Sequence, residues 1–115
     1  MRHDDPFKER SSPVYRKIVH TAEAVITGRI DLVGGCRSLY ALSFRLPAAE
    51  RELFLPIFGF ESETDHYPLG KVRDLYAKDY LDRLDAEIAA YTQKSRPEVI
   101  AACEAIIARF GPRPS

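Results

Sequence analysis

The chain has 115 residues, the length of about one domain, with 45% hydrophobic and 30% charged residues. This balance is typical of a soluble globular protein rather than a disordered one. The 17 basic and 17 acidic side chains give a formal net charge of zero, which argues against broad electrostatic binding to nucleic acid or to anionic membranes. No apolar run approaches the roughly 20 residues of a membrane span, and the first twelve residues hold no hydrophobic segment like that of a secretory signal.

The two cysteines indicate the compartment. Cys36 and Cys103 are far apart, lack the C-x-x-C spacing of redox and zinc motifs, and each lies within an apolar pattern. We therefore expect two small buried thiols in a protein of the reducing cytoplasm. A single long-range disulfide is the alternative.

Three segments are expected along the chain. Residues 1–11 are polar and crowded with charges around Pro6, with nothing repeating at a core-facing period, so they predict a flexible arm. Residues 112–115 predict a short tail. No internal repeat or low-complexity stretch interrupts the middle, which predicts a single helical domain over residues 12–111.

The first two helices have recognisable boundaries. Ser12 can cap a helix that begins at Pro13 and that Gly28 can end, with an apolar stripe between them. A second helical pattern covers about residues 31–46 and includes Gly34 and Gly35, each costing about 1 kcal/mol relative to alanine. Either a neighbouring helix approaches closely there, or the chain breaks and residues 29–33 are extended. The stripe keeps its phase across the glycines, which favours close packing.

The middle of the chain is the most apolar. A short helix over residues 48–55 is expected after Pro47, and Pro56 disturbs it. Residues 54–60 read F-L-P-I-F-G-F, a core plug or a partner-facing patch. Because small domains need their aromatic side chains inside, we favour the core. A homodimer contact through Phe54, Phe58 and Phe60 stays open.

The last third predicts an irregular acidic loop near residues 60–70 and a short helix over about 69–76. A helical stripe follows over residues 79–91, and the capping-box pattern S-R-P-E at 95–98 predicts a separate last helix that Gly111 and Pro112 end. No strand pattern is convincing. The fold class expected is all-α, a compact single-domain bundle of four main helices with one or two short ones.

The acidic loop is the first candidate site. Glu61, Glu63 and Asp65 alternate and His66 follows, so an extended loop could offer its carboxylates to a hard cation such as Mg²⁺ or Ca²⁺. The loop lacks the glycine and the distant glutamate of an EF-hand. We therefore favour a structural or partner-contact role and assign no metal ligand.

Two arginines are the second candidate. Arg37 lies in the apolar second helix and Arg73 eight residues after Asp65, and each guanidinium could either bind an anionic ligand or clamp the acidic loop through its carboxylates or carbonyls. We favour the clamp. The histidines form no convincing triad and no glycine-rich phosphate loop is present, so no catalytic residue and no cofactor is assigned.

Residues 26–39 and 60–73 carry a resemblance. They read I-T-G-R-I-D-L-V-G-G-C-R-S-L and F-E-S-E-T-D-H-Y-P-L-G-K-V-R. The two segments resemble a family of small bacterial proteins in which a G-x-I-x(4)-G-x-R-x-L helix precedes an SETD-x-x-P-x-G-x-x-R signature. The likeness covers about residues 18–109, and the matching positions are Gly28, Ile30, Gly35, Arg37, Leu39, residues 62–65, Pro68, Gly70 and Arg73.

The resemblance implies a bacterial source and places any shared role at Arg37, the SETD segment and Arg73. The family has no established activity, although its size and acidic loop are similar to those of immunity or antitoxin-like partners. The function expected is thus protein–protein interaction through Glu61, Glu63, Asp65 and His66, with a basic partner. The alternative is a small metal- or metabolite-binding enzyme that uses the same loop with Arg37 and Arg73. Whether the protein is an enzyme stays open, and we favour a binder.

Overall fold

The chain folds as a succession of helices. The computed structural model describes residues 12–112, so the predicted arm and the last three residues of the predicted tail lie outside the described part. In chain order the elements are α1 (Pro13–Ile26), α2 (Leu32–Ser43), a first 3₁₀ helix (Ala48–Phe54), α3 (Leu55–Thr64), a second 3₁₀ helix (Gly70–Leu75) and α4 (Lys78–Phe110). Residues 12–112 contain no strand. The all-α prediction is confirmed.

The close packing predicted for the two glycines of α2 is confirmed at Gly35, whereas Gly34 faces the capping residue Asp31. The helix runs unbroken through Gly34 and Gly35, and Asp31 caps it by accepting a hydrogen bond from the Gly34 amide at 2.8 Å. A Cβ atom at Gly35 would overlap a methyl group of Val25, so α1 and α2 approach as closely as they do because position 35 has no side chain. The turn between these helices uses Gly28, whose φ is +77°.

The core forms between α1, α2, α3 and α4, and the first 3₁₀ helix contributes Phe54 to it. Phe54, Ile57 and Phe60 are almost fully buried in it, which confirms the core interpretation of the apolar segment. Of the three phenylalanines considered for a dimer contact, only Phe58 keeps exposed surface. Cys36 and Cys103 are both free and buried, as predicted, and they form no disulfide.

The prediction of two separate helices over residues 79–110 is wrong, because α4 is a single helix of 33 residues with Pro97 inside it. A proline within a helix costs about 3 kcal/mol and removes one backbone hydrogen bond. Pro97 is exposed, so its ring displaces no core side chain. Leu84 and Ile88 before it, and Val99 and Cys103 after it, are all buried, and their packing outweighs the local cost.

The length of α4 gives the molecule a projecting end. At 1.5 Å per residue this helix is about 50 Å long, and the described chain measures 57 × 25 × 22 Å. The Tyr15 and Phe110 rings lie 4.9 Å apart, which places the 14 residues of α1 beside the C-terminal half of α4. The Phe60 and Tyr91 rings stack at 5.5 Å, so α3 covers part of the other half. The first turns of α4 therefore extend beyond α1.

Candidate functional site

Arg37 closes the C-terminal end of α3. Its Nη2 donates to the carbonyl oxygens of Thr64 at 2.8 Å and Tyr67 at 2.5 Å, with a longer contact of 3.5 Å to that of Asp65. The last carbonyls of a helix have no partner within the helix, and a positive charge there also favours the helix dipole. Thr64 is fully buried, and its hydroxyl donates to the Phe60 carbonyl at 2.8 Å. The predicted clamp is present, and it holds backbone carbonyls.

Residues 61–64 are the last turn of α3, so the acidic segment is helical where a loop was predicted. The reason is local: Ile57, Phe60 and Thr64 face the core at helical spacing, and Arg37 satisfies the carbonyls at the helix end. In a helix, Glu61 and Glu63 point about 160° apart and do not share one side. Across residues 12–112, no three His, Cys, Asp or Glu side chains are close enough to hold a metal ion.

The four side chains of the predicted acidic surface differ in exposure. Glu61 is half-buried, whereas Glu63, Asp65 and His66 are exposed. Within the described part of the chain, the Asp65 carboxylate forms no hydrogen bond or ion pair, since Arg37 contacts the carbonyl of this residue instead. These side chains thus lie at one end of α3 without converging on one point.

Arg73 binds a residue that the sequence did not single out. Its Nη2 lies 2.9 Å and 3.0 Å from the two carboxylate oxygens of Asp85 on α4, and its Nη1 donates to the Pro68 carbonyl at 3.2 Å. The Tyr67 hydroxyl donates to Asp85 Oδ1 at 2.5 Å, and the Arg73 guanidinium lies over the Tyr67 ring. We call Tyr67, Arg73 and Asp85 the anchor. It ties the second 3₁₀ helix to α4.

The electrostatics of the anchor follow from these contacts. The hydrogen bonds from Tyr67 and Arg73 lower the pKa of the Asp85 carboxyl below its ordinary value. Desolvation, together with the hydrogen bond to Asp85, raises the pKa of Tyr67. The Asp85 hydrogen bond, with that of Tyr67, raises the pKa of the Arg73 guanidinium. Around neutral pH the anchor is therefore an ion pair with a neutral phenol.

The anchor holds a segment that is otherwise unpacked. Residues 70–80, which we call the tip, are all exposed except Arg73. Leu75 is 81% exposed, and Val72, Tyr76 and Tyr80 are 40–43% exposed. The Tyr76 and Tyr80 rings stack on each other at 5.5 Å rather than on the core. The tip thus presents an apolar and aromatic surface to solvent at the projecting end of the molecule.

A groove lies on the body behind the tip, between the start of α2 and α4. It has a volume of about 390 Å³, an apolar floor that includes Val33 and Ile88, and charged rim residues Asp31 and Arg96. Tyr67 and Asp85 of the anchor border it. None of the predicted site residues lines this groove.

Sequence reasoning found both arginines and missed Tyr67, Asp85 and the tip. The structure brings Arg37 and Arg73 to the two ends of one connecting segment, where each is engaged by intramolecular acceptors. Asp85 is one of 17 acidic residues with no distinguishing spacing. The large apolar side chains at positions 72, 75 and 76 could have indicated a binding surface. A short helix with polar flanks that carries three such residues needs another surface to cover them.

No protein-family model, curated protein or solved structure matches the chain. The resemblance to the SETD-type bacterial family therefore stays a prediction. None of the helices within residues 12–112 has the combination of length and apolar character that crossing a membrane requires.

Proposed function

We propose that this protein is a protein-binding module of the bacterial cytoplasm, and that it binds through the end formed by the tip and the acidic end of α3. The observation that carries the proposal is the tip: apolar side chains that remain exposed although hydrogen bonds fix the backbone that bears them. Exposed apolar clusters of this kind mark interaction surfaces in soluble proteins. Tyrosines are also enriched among the residues that dominate binding energy.

The charges at this end support a basic partner. Residues 61–80 hold five carboxylates against three basic side chains, in a chain whose net charge is zero. Two of those basic side chains, Arg73 and Lys78, already pair with Asp85 and Asp82 outside the segment. The remaining negative field would steer a basic partner toward the tip. The metabolite-binding alternative draws no support from Arg37 or Arg73, because both guanidinium groups are occupied by the chain itself.

The test is a pull-down from the source cells with matched variants. Leu75→Asp places a charge on the tip, and Leu55→Asp places the same charge on another exposed leucine, at the opposite end of α3. We expect the wild type and Leu55→Asp to capture one stoichiometric protein that Leu75→Asp loses. Circular dichroism establishes that all variants are folded. Capture that is equal for all three proteins, or empty lanes from all three, would refute the proposal.

A further inference from the structure

The shape of the tip carries an inference about the partner. We propose that the tip inserts into an apolar cleft of a folded partner protein, and that basic side chains rim this cleft. The inference rests on the proposed function and names the shape and chemistry of the surface that the tip would meet.

The tip protrudes from the body of the molecule. Ten of the eleven tip residues are exposed, and the second 3₁₀ helix has no buried residue. The tip includes the first turn of α4, and this end of α4 extends past α1 along the 57 Å axis of the molecule. Leu75, Tyr76 and Tyr80 thus protrude from the body instead of lining a depression. A protruding apolar surface is desolvated most fully by a concave one, because a flat partner would leave its flanks in water.

The tip is also preorganised by the anchor. A six-residue 3₁₀ helix with no buried side chain has little intrinsic stability. The tip is nevertheless held against the body, because Arg73 joins both Asp85 and the Pro68 carbonyl, and Tyr67 holds the same carboxylate. Fixing the segment before it binds removes much of the ordering cost of association. This is what a segment that enters a preformed cleft requires.

The charges near the apolar surface of the tip are mostly acidic. Asp74 and Asp79 are exposed within the tip and form no ion pair within residues 12–112, and Glu63 and Asp65 at the end of α3 are likewise unpaired. Against them the tip has one unpaired cation, Lys71. Unpaired carboxylates beside an exposed apolar surface are complementary to an apolar cleft with a basic rim. The groove between α2 and α4 of a second copy does not meet this requirement, because the acidic Asp31 and Asp85 lie there beside the single Arg96.

Site-specific photocrosslinking in the source cells tests the inference. A benzophenone amino acid replaces Leu75 in one variant and Leu55 in the control, and mass spectrometry identifies the crosslinked residues. We expect position 75 alone to join one protein, at apolar residues that lie in a concavity flanked by lysine or arginine. A crosslink to a flat or polar surface overturns the inference, and so does a crosslink to a second copy of this chain.

The outcomes separate this inference from the proposed function. If position 75 joins a protein on a convex or polar surface, the protein remains a binding module and only the cleft is refuted. If position 75 joins no protein and the pull-down is empty, both proposals fail.

A second variant examines preorganisation: Tyr67→Phe leaves every tip side chain in place, and we expect it to weaken binding of the identified partner about three- to tenfold. Unchanged affinity would refute the role of the anchor.

Discussion

At the scale of single residues, Arg37 makes the contact that decides whether α3 can end where it does. Its guanidinium serves the carbonyls of Thr64 and Tyr67 in a partly buried place. We expect Arg37→Ala to lower the free energy of unfolding by about 2 kcal/mol, because buried carbonyls are left without donors. Arg37→Lys should recover only part of the loss, since an ammonium group lacks the planar fork. Urea denaturation measures both.

The matched control for this prediction is Asp65→Ala. The Asp65 carboxylate is exposed and unpaired, so its removal should change the free energy of unfolding by less than about 0.5 kcal/mol. The sequence also allowed a clamp in which Arg37 binds the Asp65 carboxylate. Such a clamp would make the loss in free energy of unfolding large for Asp65→Ala as well. A larger loss in Asp65→Ala than in Arg37→Ala would thus contradict the geometry described above.

The two cysteines give a prediction about chemical reactivity. Burial raises the pKa of Cys36 to about 12 and that of Cys103 to about 11. Because the thiolate is the reactive form, we expect neither thiol to react with an aromatic disulfide reagent in the native protein at pH 8, and both to react once urea unfolds it. The absorbance of the released aromatic thiolate gives the number of cysteines that have reacted. Rapid labelling of one thiol in the native state would show that the core is open to solvent there.

The same pKa values predict how stability depends on high pH. In the unfolded chain the thiols ionise near pH 9.0, whereas the folded protein keeps them protonated up to about pH 11. The unfolded state therefore binds fewer protons between these values, and the stability that is fully present below pH 9 is lost as the pH rises. Replacing Cys103 with alanine should flatten this part of the stability curve.

At the scale of elements, the α1–α2 pair depends on the missing side chain of Gly35. A methyl group there would overlap Val25, so Gly35→Ala should lower the free energy of unfolding by about 1–3 kcal/mol in spite of alanine's better helix propensity. Gly59 in α3 is the control, because nothing lies within 4 Å of the Cβ it would gain. Gly59→Ala should stabilise the protein by about 0.5–1 kcal/mol. Equal effects at both sites, measured by thermal unfolding, would argue against the close approach.

The tip is a second element whose order depends on one group, Asp85. We expect Asp85→Asn to speed amide hydrogen exchange in residues 70–76 while exchange in α1 stays unchanged, because the tip has no buried side chain to hold it. The folded pKa of Asp85 lies below its ordinary value. The anchor's contribution is accordingly present above the unfolded pKa of about 4 and is lost as the pH falls through the lower folded value. Slow exchange in the variant tip would mean that other contacts order it.

What the sequence could predict at this scale were features with local causes. Ser12 and Pro13 start α1, Gly28 ends its turn, and the unbroken stripe across Gly35 indicated a helix rather than a break. The continuity of α4 through Pro97 was not predictable in this way. The cost of the proline is local, whereas the packing that outweighs it comes from α1 and α3, far away in the sequence.

The anchor was unpredictable for a related reason. Arg73 was a candidate clamp from its type and position, but its partner depends on where the connecting segment crosses α4. That crossing is set by Arg37 holding the Tyr67 carbonyl on one side and by the stacking of Phe60 on Tyr91 on the other. Asp85 comes within reach of Arg73 only when both contacts have formed, and no spacing along the chain indicates those contacts.

At the scale of the whole molecule, the acidic end of α3 and the tip should act at different stages of binding. Long-range charge accelerates encounter, whereas desolvated apolar contacts slow dissociation. With the partner immobilised, we expect the triple alanine variant of Glu61, Glu63 and Asp65 to associate more slowly and to lose much of the salt dependence of its association rate. Leu75→Asp should mainly raise the dissociation rate, and Leu55→Asp should change neither rate. If the triple variant instead dissociated faster with an unchanged salt dependence, the carboxylates would be direct contacts of the complex, and the steering role assigned to this end of the molecule would be wrong.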